Sequence, residues 1–143
     1  MGNKVELSTL LSRMNEFTRM HRKLNGMLLD YYKLTESSIV LFDIIDDEEM
    51  TLKEITDASY LDKSTISRQV NSLVKKGYID KEIGADKRYS FFKLTDYAKE
   101  VYDAYKKESE RAFDDLMSSW TEDEKQKLSI LLMRLNRIYE SAI

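Results

Sequence analysis

The sequence contains no cysteine, no proline, a single histidine and four glycines. Without cysteine the chain has no disulfide, no thiolate metal site and no thiol-based redox sensor. Proline and glycine both disfavour the interior of a helix, so their scarcity in 143 residues favours a mainly helical protein. One histidine is too few for a histidine-rich zinc site. We therefore expect neither a metal nor a cofactor.

Long apolar runs are also missing. No stretch approaches the roughly 18 apolar residues of a membrane-spanning helix, and Met1 to Glu6 has no apolar signal core behind its charge. Glu6 occupies the position where a myristoylation signal at Gly2 has Ser or Thr. These features predict a cytoplasmic protein that does not attach to a membrane.

The sequence has no recognisable catalytic constellation. It shows no nucleophile beside a base, no phosphate-cradling glycine loop and no paired histidine ligands. Residues 46–49 form an acidic run, but adjacent carboxylates do not converge on one point, and we interpret the run as a solvated turn. We expect that the protein is not an enzyme.

The net charge of −3 conceals a basic segment. Between Leu61 and Thr95, eight Lys/Arg stand against four Asp/Glu, whereas the rest of the chain is acidic. A local positive surplus is a suitable electrostatic footprint for phosphate. An ordinary solvated surface would have the same composition, so charge alone leaves both interpretations open.

Hydrophobic periodicity predicts the order helix, helix, short helix, helix, hairpin, long helix, helix. A first amphipathic helix begins near Leu7, and the strands of the hairpin lie at 78–83 and 89–94, where the pattern alternates. Val40 and Tyr97 are assigned to the inward faces of the second and fifth helices. Helix starts are predicted at Thr35, at Asp62 or Lys63, and at Thr95, and capping boxes are predicted for Thr51 with Glu54 and for Thr121 with Glu124. A left-handed helix end is expected at Gly77.

The predicted fold class is mainly α with a small β-hairpin wing, a winged helix-turn-helix with long N- and C-terminal helices. We expect a single domain over residues 1–143, with a DNA-binding lobe at 35–95 and dimerisation helices at 6–33 and 96–143. The terminal helices carry apolar faces without an obvious partner in so short a chain, which favours a homodimer. The alternative is that these faces pack within one chain.

The fourth predicted helix has one apolar side and one polar side. Short donors and acceptors on the polar side suit base edges in the major groove, where Arg pairs with guanine and Asn with adenine. Lysines one turn further on are better placed for phosphates. An ordinary solvent-facing surface is the competing interpretation. The candidate base contacts are Ser64, Thr65, Ser67, Arg68 and Asn71, and the candidate phosphate contacts are Lys75 and Lys76.

The hairpin adds cations at a place where no core requires them, namely Lys81, Lys87, Arg88 and Lys93. Lys87 and Arg88 are candidate DNA contacts, and Arg88 suits a narrow minor groove. Asp86 is expected to orient Arg88 through a charge-assisted bond. A surface ion pair worth roughly 0–1 kcal/mol is the alternative.

Residues 52–56, 62–68 and 73–79 resemble the reading-head pattern of the MarR family, and Asp86-Lys87-Arg88 ahead of Leu94-Thr95 is similar to its wing signature. The resemblance implies a bacterial homodimer joined by its first, fifth and sixth helices, with two winged lobes on a pseudo-palindromic operator. It places Ser64, Thr65, Ser67 and Arg68 in the major groove and Arg88 in the adjacent minor groove. Ala98 departs from a glycine that is frequent in the family, which puts only the local helix start in doubt.

The resemblance also implies release of DNA by a small aromatic or anionic effector that enters a crevice between the dimer helices and the reading head. The candidate effector contacts are Arg13, Met14, Phe17, His21, Tyr31 and Tyr32. An interfacial histidine, core methionines and packing tyrosines are the competing interpretation of these residues.

The sequence therefore predicts a sequence-specific regulator of transcription that binds double-stranded DNA, a homodimeric repressor released by an effector. The alternative is a winged-helix protein-interaction module, an anti-repressor or DNA mimic, which the acidic total charge keeps open. A DNA mimic should lack the basic wing and reading helix, so these two features favour the regulator.

Overall fold

The computed structural model describes residues 4–143, and Met1 to Asn3, including the Gly2 considered above, lie outside that range. The described residues form a mainly helical chain with a small antiparallel sheet, which confirms the predicted fold class. The elements are α1 (Leu7–Tyr32), α2 (Glu36–Ile45), β1 (Met50–Thr51), α3 (Leu52–Ser59), α4 (Lys63–Lys75), β2 (Ile79–Ile83), β3 (Ser90–Leu94), α5 (Asp96–Leu116) and α6 (Glu122–Ala142).

The chain divides into two compact units, Met1–Lys107 and Glu108–Ile143, with the division inside α5. The first unit contains α1 to β3 and the N-terminal half of α5, and the second contains the rest of α5 and α6. The single domain over residues 1–143 stays a prediction. None of the helices in residues 4–143 combines the length and the apolar character that a membrane crossing requires.

The sheet has the order β1-β3-β2, and all pairs are antiparallel. Ile79 pairs with Leu94 and Lys81 with Phe92, and β1 adds Met50 on the other side of Phe92. The hairpin was predicted from its alternation, but β1 was not. Two residues are too few to show a period, and Thr51 was interpreted only as a helix cap.

The core of the first unit lies under the α3–α4 pair. Its largest fully buried side chains come from α2, α3, α4 and β2, and each stabilises the fold by roughly 1.5–3 kcal/mol relative to an exposed position. The largest are Leu41, Phe42, Ile45, Ile55, Ile66, Val70 and Ile79. The inward faces predicted for α2 and α5 were wrong at Val40 and Tyr97, which are 45% and 54% exposed.

Side-chain caps fix where the helices begin. The Thr35 hydroxyl accepts from the Ser38 amide, and the capping boxes of Thr51 with Glu54 and of Thr121 with Glu124 are present as predicted. At Gly77, φ is +82°, while the Gly77 amide donates to the Val74 carbonyl and the Tyr78 amide to the Leu73 carbonyl. This pattern is a Schellman motif, and it ends α4 where the wing must start.

Thr95 joins three elements. Its hydroxyl donates to the Gly77 carbonyl at 2.8 Å and accepts from the Ala98 amide at 3.1 Å. The end of α4, the end of β3 and the start of α5 therefore share one side chain. Ala98 is fully buried and lies in a regular helix start, so its departure from the family pattern does not disturb α5 here.

Two tyrosines connect the N-terminal half of α5 to the other helices of the first unit. The Tyr105 hydroxyl donates to Asn25 Oδ1 of α1 at 2.5 Å, and the Tyr102 hydroxyl donates to Asp43 of α2. Burial raises the pKa of the Asp43 carboxyl, although the nearby Lys106 ammonium lowers it. These polar contacts fix the register of α5 against α1 and α2.

Candidate nucleic-acid interface

A tight turn connects α3 to α4. Tyr60 adopts the left-handed region with φ of 59°, and the Leu61 amide donates to Ser59 Oγ at 3.1 Å. Asp62 then caps α4. The buried side of α4, formed by Ile66, Val70 and Leu73, packs into the core, so the opposite side of this helix is held toward solvent.

The polar side of α4 carries the predicted base contacts. Ser64, Arg68, Asn71 and Lys75 are exposed and follow the spacing of 4, 3 and 4 residues that keeps side chains on one helix face. We call these four residues the reading stripe. The predicted contacts Thr65 and Ser67 flank the stripe and are half-buried, whereas Lys76 is exposed at the helix end.

Asp62 makes more contacts than a helix cap requires. Its Oδ1 accepts from the Thr65 amide at 2.8 Å and from Ser64 Oγ at 2.6 Å, and its Oδ2 accepts from Thr65 Oγ1 at 2.8 Å. The Ser64 hydroxyl, followed by the Thr65 amide and hydroxyl, holds the pKa of the Asp62 carboxyl well below its usual range. Sequence reasoning identified Asp62 only as a helix start. The signal it overlooked was the presence of hydroxyls two and three positions later.

The cations of α4 are available to an external anion. Within residues 4–143, Lys63, Arg68, Lys75 and Lys76 take part in none of the ion pairs that the structure forms. Their guanidinium and ammonium groups are exposed to solvent. Phosphate groups could therefore approach without first breaking an internal pair.

The cation cluster of the hairpin is less uniform than predicted. Lys93 Nζ lies 3.3 Å from a Glu82 carboxylate oxygen and 3.8 Å from one of Glu49, which raises its pKa chiefly through the Glu82 hydrogen bond. Lys99 pairs with Asp47 at 3.4 Å. The acidic run is exposed, as a solvated turn would be, but it also attaches to β3 and α5 through these pairs.

Arg88 and Asp86 form the pair expected in the wing. The Arg88 Nε lies 3.1 Å from both carboxylate oxygens of Asp86, one Nη lies 2.7 Å from Oδ2, and the Arg88 amide donates to Oδ1. These bonds lower the pKa of Asp86 and raise that of Arg88. The Tyr89 ring lies 5.8 Å from the guanidinium carbon, and the exposed Lys87 lies between Asp86 and Arg88 in the chain. One edge of the Arg88 guanidinium remains free of these contacts.

A cleft of about 330 Å³ lies between the N-terminal turn of α2 and one flank of α4. Two cations and several hydroxyls line it, and no carboxylate does. Its lining is Thr35, Ser37, Ser38, Leu41, Thr65, Arg68, Gln69, Ser72, Leu73 and Lys76. Sequence reasoning did not find it, because residues 30 positions apart meet only through the packing of α2 on α4.

The candidate effector residues of α1 lie outside this cleft. Phe17 and His21 stack with ring centroids 5.5 Å apart, and Tyr31 meets Tyr32 edge-on at 5.1 Å. Arg13 is exposed and Met14 is half-buried. About ten residues, roughly 15 Å of helix, separate the two aromatic pairs. The structure thus brings four of these six candidates together as two pairs, and the role of all six in effector binding stays a prediction.

An anchored helix with an exposed polar stripe, followed by a cationic hairpin, defines the winged helix-turn-helix class of DNA-binding domains. Residues 33–88 match the model of the MarR family. The chain is similar to MarR-family winged helix-turn-helix regulators of transcription, and proteins of that family bind DNA. Because this family consists of transcription regulators, the expectation that the chain is not an enzyme is confirmed.

Similar proteins span nearly the same length. A Bacillus subtilis (strain 168) protein, the uncharacterized HTH-type transcriptional regulator YxaD, is 29% identical over 108 residues, which cover 74% of this chain and 76% of the relative. A MarR protein from Peptoclostridium difficile is 26% identical with a TM-score of 0.79, covering 99% of this chain and 94% of that one. Staphylococcus aureus MarR, solved in complex with salicylate and kanamycin, is 19% identical with a TM-score of 0.84, covering 95% and 93%. The last likeness concerns the fold alone.

Proposed function

We propose that the protein is a homodimeric repressor that recognises a pseudo-palindromic operator and releases it when a small effector binds. The observation that carries the proposal is the reading stripe, whose helix is fixed by fully buried Ile66 and Val70 while its own side chains stay exposed. A rigidly held helix with free polar groups is what direct readout in the major groove requires.

Specific roles follow from side-chain chemistry. Arg68 can donate two hydrogen bonds to guanine O6 and N7, and Asn71 can bind adenine N6 and N7. Lys75 and Lys76, near the C-terminal end of α4, supply sequence-independent contacts to phosphate. Arg88 enters the neighbouring minor groove with Asp86 holding its other edge, and Lys87 contacts the backbone beside it.

Exposed apolar side chains support the homodimer. On α1, Leu7, Leu11 and Met27 are 79%, 53% and 66% exposed, and α6 also exposes a set of apolar side chains. That set is Ile130, Leu131, Leu132, Met133, Ile138 and Tyr139. Exposed apolar surface of this extent is uncommon on soluble monomers and marks interaction sites. Since the chain is short, a second copy is the partner we propose for these faces.

Selection of bound duplexes from a random DNA pool tests operator recognition directly. We expect the pool to converge on two related half-sites in inverted orientation, because a two-fold symmetric dimer presents the same helix twice. A variant with alanine at both Arg68 and Asn71 should bind DNA more weakly and should lose the base preference at the positions that these two residues read. A pool that converges on nothing with the unmodified protein would contradict operator recognition.

The protein-interaction alternative predicts a surface of the opposite charge. A DNA mimic presents carboxylates where DNA presents phosphates, whereas α4 presents Lys63, Arg68, Lys75 and Lys76 without ion-pair partners in residues 4–143. The charge of this surface therefore favours a DNA partner.

Effector release is supported by the Staphylococcus aureus MarR complex with salicylate and by the paired aromatic rings on α1. A screen of salicylate-like aromatic acids should raise the melting temperature and release the selected operator. Replacing Phe17 with alanine should weaken both responses, while Tyr60→Ala, an exposed aromatic of the α3–α4 turn, should leave the melting shift unchanged. A series in which no compound alters melting or DNA release would contradict this part of the proposal.

A further inference from the structure

Two hydroxyls on the reading helix have the direction of their hydrogens fixed. Ser64 Oγ lies 2.6 Å from Asp62 Oδ1, and Thr65 Oγ1 lies 2.8 Å from Asp62 Oδ2. An ionised carboxylate can only accept hydrogen bonds, so each hydroxyl must donate its single hydrogen to Asp62. Each hydroxyl oxygen then has only lone pairs left, so it can accept a further hydrogen bond but cannot donate one.

The carboxylate stays ionised under the conditions in which DNA is bound. The Ser64 hydroxyl and the Thr65 amide and hydroxyl lower the pKa of Asp62 far below its usual range. Because an aspartate carboxyl is already ionised at neutral pH, a lowered pKa leaves Asp62 charged there. The two hydroxyls therefore keep the same orientation throughout the neutral range.

Bases differ in whether they offer a donor or an acceptor in the major groove. Adenine N6 and cytosine N4 carry amino hydrogens, whereas guanine offers O6 and N7 and thymine offers O4, which are acceptors. Phosphate oxygens are acceptors as well. A free Ser or Thr hydroxyl could serve any of these groups by rotating. A hydroxyl whose hydrogen is already engaged can bind only the amino groups.

We propose that Asp62 is a specificity-determining positioning residue that makes Ser64 and Thr65 acceptors, so that the bases facing them are adenine or cytosine. The inference rests on the proposed operator recognition and names a part of its sequence preference. Asp62 itself need not touch DNA. It acts by removing the two donors that would otherwise bind guanine, thymine or the phosphate backbone.

The helix cap alone does not account for this arrangement. A cap needs only the bond from the Thr65 amide to Oδ1, and that bond is present at 2.8 Å. The two hydroxyl bonds are additional, and they involve side chains on or beside the reading stripe. A variant that keeps the cap but changes the direction of one hydroxyl can therefore separate the two roles.

Asp62→Asn is that variant. Asparagine caps helices as well as aspartate does, so α4 should keep its start. If its carbonyl oxygen keeps the Thr65 amide and Ser64, its amide nitrogen replaces Oδ2 and donates to Thr65 Oγ1. The Thr65 hydrogen is then free to point at DNA. Asp57→Asn, which removes a negative charge from another exposed side chain, the partner of Lys53 in α3, is the control.

The experiment compares duplexes selected from a random pool by the unmodified protein, Asp62→Asn and Asp57→Asn, with circular dichroism to verify that each is folded. Positions read by Thr65 or Ser64 are those whose preference relaxes in Thr65→Val or Ser64→Ala. At these positions we expect the unmodified protein and Asp57→Asn to favour adenine or cytosine roughly tenfold, about the worth of one hydrogen bond. Asp62→Asn should reduce that preference at the Thr65 position to about twofold, as guanine and thymine become acceptable.

A second measurement removes the amino group itself. Replacing the selected adenine by purine, or the cytosine by pyrimidin-2-one, deletes the donor and should weaken the unmodified protein roughly three- to tenfold. At the Thr65 position, Asp62→Asn should respond less than twofold. An unmodified protein that prefers guanine or thymine there, an Asp62→Asn variant with unchanged preferences, or Ser64 and Thr65 variants that relax no position would each overturn the inference. Failure of operator recognition would look different, because the unmodified protein would then enrich no sequence.

Discussion

In the proposed interface, Asp86 positions the side chain of Arg88 before DNA binds. Asp86 engages the Arg88 Nε and one Nη and leaves the remaining edge of the guanidinium pointing out of the wing. Fixing a flexible side chain in advance reduces the entropy that binding would otherwise remove. The pair is exposed, so we propose that its benefit lies in DNA recognition and not in folding stability.

Replacing Arg88 with alanine should weaken operator binding by about 1–3 kcal/mol, since a buried base-edge or groove contact is lost. Fluorescence anisotropy with the selected operator measures the change. Asp86→Asn retains the guanidinium but loses its charged partner, and we expect a smaller loss. Neither variant should alter the sedimentation of the protein. Equal affinity of Arg88→Ala and the unmodified protein would remove the wing from the interface.

Residue positions also show what sequence reasoning could identify. Thr35, Thr51, Asp62, Thr95 and Thr121 were correctly placed at helix starts, because a cap is satisfied within three residues of the chain. The orientation of Arg88 by Asp86 is equally local. What the sequence did not indicate was the link from Thr95 to the Gly77 carbonyl, which is 18 residues away.

At the scale of elements, sequence reasoning was least accurate in predicting which face of a long helix is buried. For α5, the spacing of apolar residues suggested that Tyr97 is buried, but the core side runs through Ala98, Tyr102 and Tyr105. Tyr97 instead stacks on Tyr78, with ring centroids 5.3 Å apart and planes within 5°. Tyrosine has both an apolar body and a polar tip, so its presence does not define which side of a helix is inward.

The end of α4 gives a prediction about glycine. Gly77→Ala should destabilise the protein by about 1–2 kcal/mol, because a φ of +82° brings an added Cβ close to the backbone carbonyl although no other atom lies within 4 Å. Gly26→Ala is the control, since it lies inside α1 with open space around the new methyl group. That change should stabilise by up to about 1 kcal/mol. Urea unfolding measures both, and the same sign for both would contradict the assignment of strain to Gly77.

The lysines at the end of α4 should act through charge alone. Removing either Lys75 or Lys76 should reduce the slope of log affinity against log salt by about one, with base preferences unchanged, because one fewer counterion is released from DNA. Lys127→Ala serves as the control, since that lysine pairs with Asp123 within α6 at 2.8 Å. Titrations at several salt concentrations give the slopes. Unchanged slopes for the α4 variants would place these lysines away from phosphate.

At the scale of the whole molecule, we propose that a protein of negative net charge binds the negative DNA through a local surplus of positive charge. The total is −3, yet the segment from Leu61 to Thr95 is basic and carries α4 and the wing. An acidic remainder disfavours approach of other surfaces to DNA. Composition predicted this division correctly, because charges are countable without knowledge of the fold, whereas the cleft between α2 and α4 needed the packed structure.

If two copies associate through α1, α5 and α6, their reading helices should meet successive major grooves on one face of DNA. The half-sites should then lie about one helical turn apart, roughly 34 Å between centres. Footprinting on the selected operator, combined with light scattering of the free protein, tests spacing and stoichiometry together. Protection of an isolated half-site by a monomer would exclude the symmetric arrangement.

The middle position of β3 has a consequence for the operator itself. Phe92 pairs with Met50, which immediately precedes the helix-turn-helix, and with Lys81 in the wing. The same strand therefore connects the helix-turn-helix to the wing, so the two cannot shift independently of each other along DNA. Within each half-site, the distance between the major-groove contact and the minor-groove contact should be constant. Inserting a single base pair between them should cost as much affinity as deleting one of the two contacts.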